Sequence, residues 1–155
     1  MDAKIRNQLL AECACFDLRK ATRAVSRMYD QFLRDAGVNV TQFSLLRLIR
    51  REKETSVSTL GRYTVMDRTS ITRALAPLER NRLIDSRAGA DKRIRIVSLT
   101  RKGLRLVEAA EPKWRRAQEA LMETIGEDRW SAMSGLLRDV TRRVRHRTVE
   151  MANAP

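Results

Sequence analysis

The sequence predicts a mostly α-helical chain of the α+β kind. Both ends carry apolar residues at helical spacing over many turns, and the middle holds three short, capped helical pieces. One segment near the centre drops to a period of two. A length of 155 residues suits one domain, or one domain with extensions, and an apolar share of 43% is enough for a core.

The first element runs from Ala11 to Phe32. Its apolar positions are Ala11, Ala14, Leu18, Ala21, Val25, Met28 and Phe32, alternating steps of three and four, which is the seam of a long amphipathic helix. Gly37 stops it. Thr41 then reads as the N-cap of a second helix, Ser56 of a short third and Asp67 of a fourth. The three lie close together with short connectors, the layout of a helix-turn-helix. Pro77 falls inside the fourth and predicts a bend or an early end between Arg73 and Pro77. Ile71, Leu75 and Leu78 are predicted to face inward.

In LIDSRAGADKRIRIVSL, Arg93 and Arg95 face one way and Ile94 and Ile96 the other. With Ala88-Gly89-Ala90 as the bend, this is a β-hairpin. Thr100 caps a long helix holding Val107, Ala110, Trp114, Ala117 and Leu121; Pro112 is expected to kink it and Gly126 to end it. A last helix carries Trp130, Met133, Leu137, Val140 and Val144. The predicted organisation is a winged helix-turn-helix over residues 39–103, flanked by a helical dimerisation region over residues 1–38 and 104–155. The terminal helices carry more apolar stripe than a domain this small covers alone, so a homodimer is expected.

Charge narrows the function. Thirty-two Lys and Arg against 19 Asp and Glu give +13, which points to a polyanionic partner. Aromatic residues make up only 5%, too few for a surface that stacks single-stranded bases. Anionic membrane is the rival, but no apolar run approaches the roughly 18 residues that span a bilayer. The N-terminal stretch lacks a signal peptide's apolar core, so a cytoplasmic protein is expected. An enzyme is disfavoured by content. There is one histidine, His146, in a basic run, no phosphate-cradling glycine loop and no clustered carboxylates; no metal or cofactor is implied.

At Asp91, Arg93, Leu99, Thr100 and Gly103 the chain resembles the wing pattern D-x-R followed by L-T-x-x-G of the MarR family of bacterial transcription regulators. The helix-turn-helix text STLGRYTVMDRTSITRALAPLERNRLIDSR and the flanking long helices resemble the family too. The resemblance implies that Arg93 enters a minor groove, where A·T-rich sequence concentrates negative potential. Asp91 is expected to hold its guanidinium bidentately rather than touch DNA. Lys92 and Arg95 would meet phosphates. The fourth helix is the expected major-groove reader, through Arg68, Thr69, Ser70, Thr72 and Arg73, with Arg68 and Arg73 long enough for a guanine edge. Arg62 and Arg87 are weaker phosphate candidates.

The resemblance also implies a switch. Family members commonly bind an aromatic acid or phenol between the dimer helices and the DNA-binding lobe; candidates here are Arg19, Arg23, Arg27, Tyr29 and Trp114. The first helix, with Cys15, Phe16 and Tyr29, resembles the family's peroxide-sensing branch, although Arg19 and Val40 stand where further tyrosines are expected. Arg19, one turn from Cys15, favours a thiolate. Small packing residues are the reading of Cys13 and Cys15 that the residues favour, ahead of redox sensing and, further behind, soft-metal ligands; on a helix they point roughly 200° apart and cannot pair. The expected protein is a dimeric, sequence-specific transcription regulator, a repressor released by a ligand or by thiol oxidation. A non-specific architectural DNA binder is the alternative.

Overall fold

The computed structural model describes residues 13–152. In chain order these form α1 (Ala14–Leu33), a 3₁₀ turn (Arg34–Ala36), α2 (Val40–Glu52), β1 (Glu54–Ser56), α3 (Val57–Thr64), α4 (Arg68–Arg80), β2 (Ile84–Ala88), β3 (Arg95–Leu99), α5 (Arg101–Ile125) and α6 (Glu127–Ala152). The N-terminal stretch and Ala11 lie outside the described residues. By its contacts the chain divides into two compact units, Met1–Ala117 and Gln118–Pro155, with the boundary inside α5.

Within the first unit the three strands form one antiparallel sheet in the order β1-β3-β2. β3 is central: Val97 faces Thr55 on one side and Ser86 on the other. The core gathers Phe43, Leu45, Leu46 and Ile49 of α2, Leu60 of α3, Ile71, Leu75 and Leu78 of α4, Ile84 and Val97 of the sheet, and Val107 and Ala110 of α5. The inward face of α4 and the α5 seam are therefore as the spacing predicts.

The caps explain most boundaries. Gly37 ends the 3₁₀ turn in the left-handed region, with φ of 70°, and its N–H donates to the Arg34 carbonyl. Ser56 Oγ accepts the Thr59 N–H at 3.0 Å. Gly126, at φ 87°, ends α5 and donates to the Met122 carbonyl. Thr41 is not the cap of α2. Asn39 is: its side chain accepts the Gln42 N–H at 2.9 Å, and Gln42 Oε1 accepts the Asn39 N–H at 3.1 Å. This reciprocal box needs Gln three residues after the cap, and only Asn39 has it. Asn39→Ala is expected to lower stability by about 1 kcal/mol, whereas Thr41→Ala changes little. Urea titration of both variants decides between the two residues.

Pro77 does not end α4, which continues to Arg80. The missing N–H costs one bond, but Leu75 and Leu78, on either side of Pro77, are fully buried, and that burial holds the last turn. α5 likewise runs unbroken through Pro112.

In α1 the predicted seam is not what the chain buries. Leu18 is 44% exposed, and the residues that reach the core are Tyr29 and Leu33, off the seam. The apolar positions of α6 also stand open, Leu136 at 68% and Val144 at 58% among them.

Candidate nucleic-acid interface

α4 begins where Asp67 accepts two bonds from Ser70: from the N–H at 2.8 Å and from the hydroxyl at 2.8 Å. These hold the Asp67 carboxyl below the usual carboxylate range. The cap is therefore at full strength above the unfolded-state pKa and is lost as pH falls through the depressed one. Beyond the cap, Arg68, Thr69, Ser70, Thr72 and Arg73 are all exposed, opposite the buried Ile71 and Leu75. The Thr72 hydroxyl donates to the Arg68 carbonyl at 2.7 Å. A hydroxyl has one proton. Those of Ser70 and Thr72 are already given away inside the helix, so what both offer outward is lone pairs.

The turn before α4 is tight. A Cβ on Gly61 would lie 2.9 Å from the Met66 carbonyl oxygen, so the close approach needs glycine. Val65 takes the left-handed region there at φ 56°, rare for a β-branched residue. Arg62, exposed, donates to Thr59 Oγ1 at 3.2 Å.

The wing differs from its prediction in three ways. The ladder stops at the pair Ala88–Arg95, so Arg93 and Ile94 belong to the loop and not to the strand. The loop is closed by Gly89 N–H to the Ile94 carbonyl at 2.7 Å and by Ile94 N–H to the Asp91 carbonyl at 2.9 Å. Asp91 does not grip the guanidinium bidentately. Its Oδ1 accepts the backbone N–H of Arg93 at 2.9 Å, and Arg93 Nε stays 4.0 Å away. An aspartate two residues before its donor makes an Asx turn, which is shorter-range than a reach along the arginine stem. The Arg93 side chain is 94% exposed, and Lys92 beside it is exposed too.

Arg95 is engaged instead with Glu79 of α4, whose carboxylate also accepts the Ser86 hydroxyl. Arg95 first, then Ser86, hold the Glu79 carboxyl below its ordinary range. Arg87, on the other sheet face, reaches across to Glu54 of β1 at 2.8 Å. Glu79 carried no readable signal: its partners lie 7 and 16 residues on, across a loop.

Comparison with known proteins agrees with this geometry. Residues 36–94 match the sequence model of the MarR family. A crystal structure of the Mycobacterium tuberculosis transcriptional regulator MosR in complex with DNA is 32% identical, covers 92% of this chain and all of that one, and superposes with a TM-score of 0.76. The chain belongs to the MarR family. It is a MarR-type transcriptional regulator with a winged helix-turn-helix. Staphylococcus epidermidis SarZ, an HTH-type regulator, is 26% identical over 100 residues, 64% of this chain and 68% of SarZ. Escherichia coli MarR bound to operator DNA, at 21% identity over 79% of this chain and 89% of that one, has the same fold with a TM-score of 0.72.

The switch candidates of this MarR-family chain are scattered. Arg19, Arg23 and Arg27 are exposed on α1, while Tyr29 is buried and its hydroxyl pushed up in pKa by that burial. Trp114 lies under Arg47, whose guanidinium carbon sits 4.0 Å from the ring centroid and which also pairs with Glu111 at 3.2 Å. Arg47 and Glu111 also line an open cleft of about 990 Å³ in the first unit, with Arg50, Arg51, Tyr63 and Arg115 among its other walls. Its walls come from α2, α3 and the sequence-distant α5. Cys13 and Cys15 are both exposed free thiols. Cys13 is extended and precedes the helix, so the helical-wheel separation from Cys15 does not apply to it. Among the described residues no group of His, Cys, Asp and Glu could hold a metal ion, and no helix is long and apolar enough to cross a membrane.

Proposed function

We propose that the protein is a homodimeric repressor that binds a specific double-stranded operator and leaves it when an aromatic or phenolic ligand binds or a thiol is oxidised. One observation carries this reading. Two exposed basic features, the first turns of α4 and the hairpin tip at Lys92 and Arg93, project from one compact unit with a shared core. MosR, the relative crystallised with DNA, supports the partner.

In this reading α4 lies in the major groove, and Arg68 and Arg73 donate to guanine O6 and N7. Ser70 and Thr72 accept from base amino groups, because their protons are committed; Thr69 completes the exposed face. Arg93 enters the minor groove on a tip shaped by Asp91, with Lys92 and Arg62 on phosphates. Arg87 and Arg95 reach phosphates only by leaving Glu54 and Glu79. The open apolar positions of α1 and α6 favour a second copy, with residues 1–38 and 104–155 as the dimerisation region and residues 39–103 reading DNA. Dimer symmetry then sets half-sites about 10–10.5 bp apart. The arginine-rich cleft beside Tyr63 suits an aromatic anion. Exposed Cys15, with Arg19 one turn away, is the thiol candidate.

The test is a gel shift on the protein's own upstream DNA at two salt concentrations, against unrelated competitor. A specific complex weakened steeply by salt is expected. Equal binding to competitor favours an architectural role instead. Adding an organic peroxide or aromatic acids separates the switches: loss with peroxide that Cys15→Ser prevents assigns the thiol, and loss with an acid alone assigns the cleft.

A further inference from the structure

The end of α4 farthest from its reading face is tied to the wing through one carboxylate. Glu79, in the last turn, accepts from Arg95 of β3 and from Ser86 of β2 through the same oxygen, Oε1. Strand alternation explains why both arrive there. Ser86 is opposite Val97 and Ala88 is opposite Arg95, so Ser86, Arg95 and the fully buried Val97 share one sheet face, the face toward the core. Arg95 is also the first residue of β3, where the ladder begins just after the tip, two positions from Arg93. Whatever fixes Arg95 therefore fixes the direction in which the tip leaves the sheet.

We propose that Glu79 is a positioning residue for DNA recognition: by holding Arg95 and Ser86 it sets the wing's angle to the reading helix, and it keeps Arg95 from contacting phosphate. This rests on the DNA-binding reading above and goes beyond it, since a cation of the wing becomes part of a latch. The pair is partly open, with side chains 38% and 30% exposed, so it adds little to stability. Its value is geometric. A charge-assisted carboxylate contact with two donors on separate strands restricts both strands at once. A two-pronged reader loses affinity when either prong is misaimed, even with every DNA-facing side chain intact.

The sign of one substitution separates this role from simple electrostatics. Removing a carboxylate beside a polyanion raises affinity on charge grounds alone. Glu79→Ala is nevertheless expected to weaken binding to the upstream fragment, and Arg95→Ala to weaken it equally, each by about three- to thirtyfold, inside the range for contacting residues that act together. The double variant should be no worse than either single, and the slope of log affinity against log salt should stay at the wild-type value in all three. The exchange Glu79→Arg with Arg95→Glu should recover most of the loss. Melting temperatures of the singles should remain close to wild type.

If Arg95 is a phosphate contact, Arg95→Ala flattens the salt slope by about one and Glu79→Ala binds as well as or better than wild type; that pattern overturns the latch. So does an exchange variant weaker than both singles. Wild-type protein that fails to bind its upstream DNA sinks the DNA reading and the latch together. Wild type that binds while Glu79→Ala is unchanged removes the latch alone.

Discussion

Gly103→Ala is expected to be the most damaging single-atom change in the protein. A Cβ built on Gly103 lies 2.0 Å from the Leu83 carbonyl oxygen and 2.9 Å from its carbon, both backbone atoms. That oxygen is not free to retreat. It accepts the Thr100 N–H at 3.1 Å, while the Thr100 hydroxyl gives its one proton to the adjacent Arg82 carbonyl at 2.7 Å, lies 3.3 Å from the Leu83 oxygen and accepts the Gly103 N–H at 3.0 Å. Thr100 and Gly103 therefore make one joint. The threonine closes the first turn of α5 and clips the start of β2, and the glycine lets the two backbones touch. Adding a methyl forces α5 or β2 away and breaks several of these bonds together. The expected cost is about 3 kcal/mol or more, above ordinary overpacking because no flexible side chain can give way. Against a typical domain stability of roughly 5–15 kcal/mol, a large part of the folded state is at risk. Gly135→Ala is the control, since nothing lies within 4 Å of its Cβ in α6. It should be neutral, or stabilising by about 0.5–1 kcal/mol. A urea midpoint for Gly103→Ala matching wild type would falsify the joint.

That joint was legible as the spacing L-T-x-x-G, although its reason was not. A pattern of residue types records that Thr100 and Gly103 belong together; only the fold shows that Leu83, seventeen residues earlier than Thr100, is what they hold. The same limit recurs. Ser56, Asp67, Gly37 and Gly126 were readable because a cap acts within one turn. Asn39 was readable too, through Gln42, but Thr41 offered the same chemistry nearer the apolar run. Pro77 misled because local propensity is outweighed when Leu75 and Leu78 are buried. Period two put Arg93 and Arg95 on one side, but it cannot say where a strand stops or which side meets a helix. From sequence Arg95 therefore reads as a DNA contact, and only the fold brings Glu79 against it. The cleft was invisible for a related reason: Arg47, Tyr63 and Arg115 are brought together by three helices with no common spacing.

Arg93→Ala should leave stability unchanged and weaken every DNA complex. The side chain is 94% exposed, and its guanidinium makes only the marginal 4.0 Å approach to Asp91. The tip beneath it is ordered by backbone bonds that the substitution leaves in place: Arg93 N–H to Asp91, Ile94 N–H to the Asp91 carbonyl, and Gly89 N–H to the Ile94 carbonyl. The loss is then a loss of contact, about 1–3 kcal/mol per wing, with a shallower salt slope and its largest size on A·T-rich flanks where the groove is narrow. Asp91→Ala is the informative companion. It removes no cation but unties the Arg93 N–H, so it should cost affinity by loosening the tip while the salt slope holds. Arg73→Ala should behave differently from both. On the exposed face of α4, proposed above as the major-groove reader, its loss should shrink the gap between the preferred operator and a single-base variant, because an edge-reading arginine discriminates where a backbone contact does not. Affinities of the three variants on the operator, a flank-altered operator and a core-altered operator separate the roles. Identical, sequence-blind losses from Arg73→Ala and Arg93→Ala would remove Arg73 as a reader and leave the helix holding DNA by charge alone.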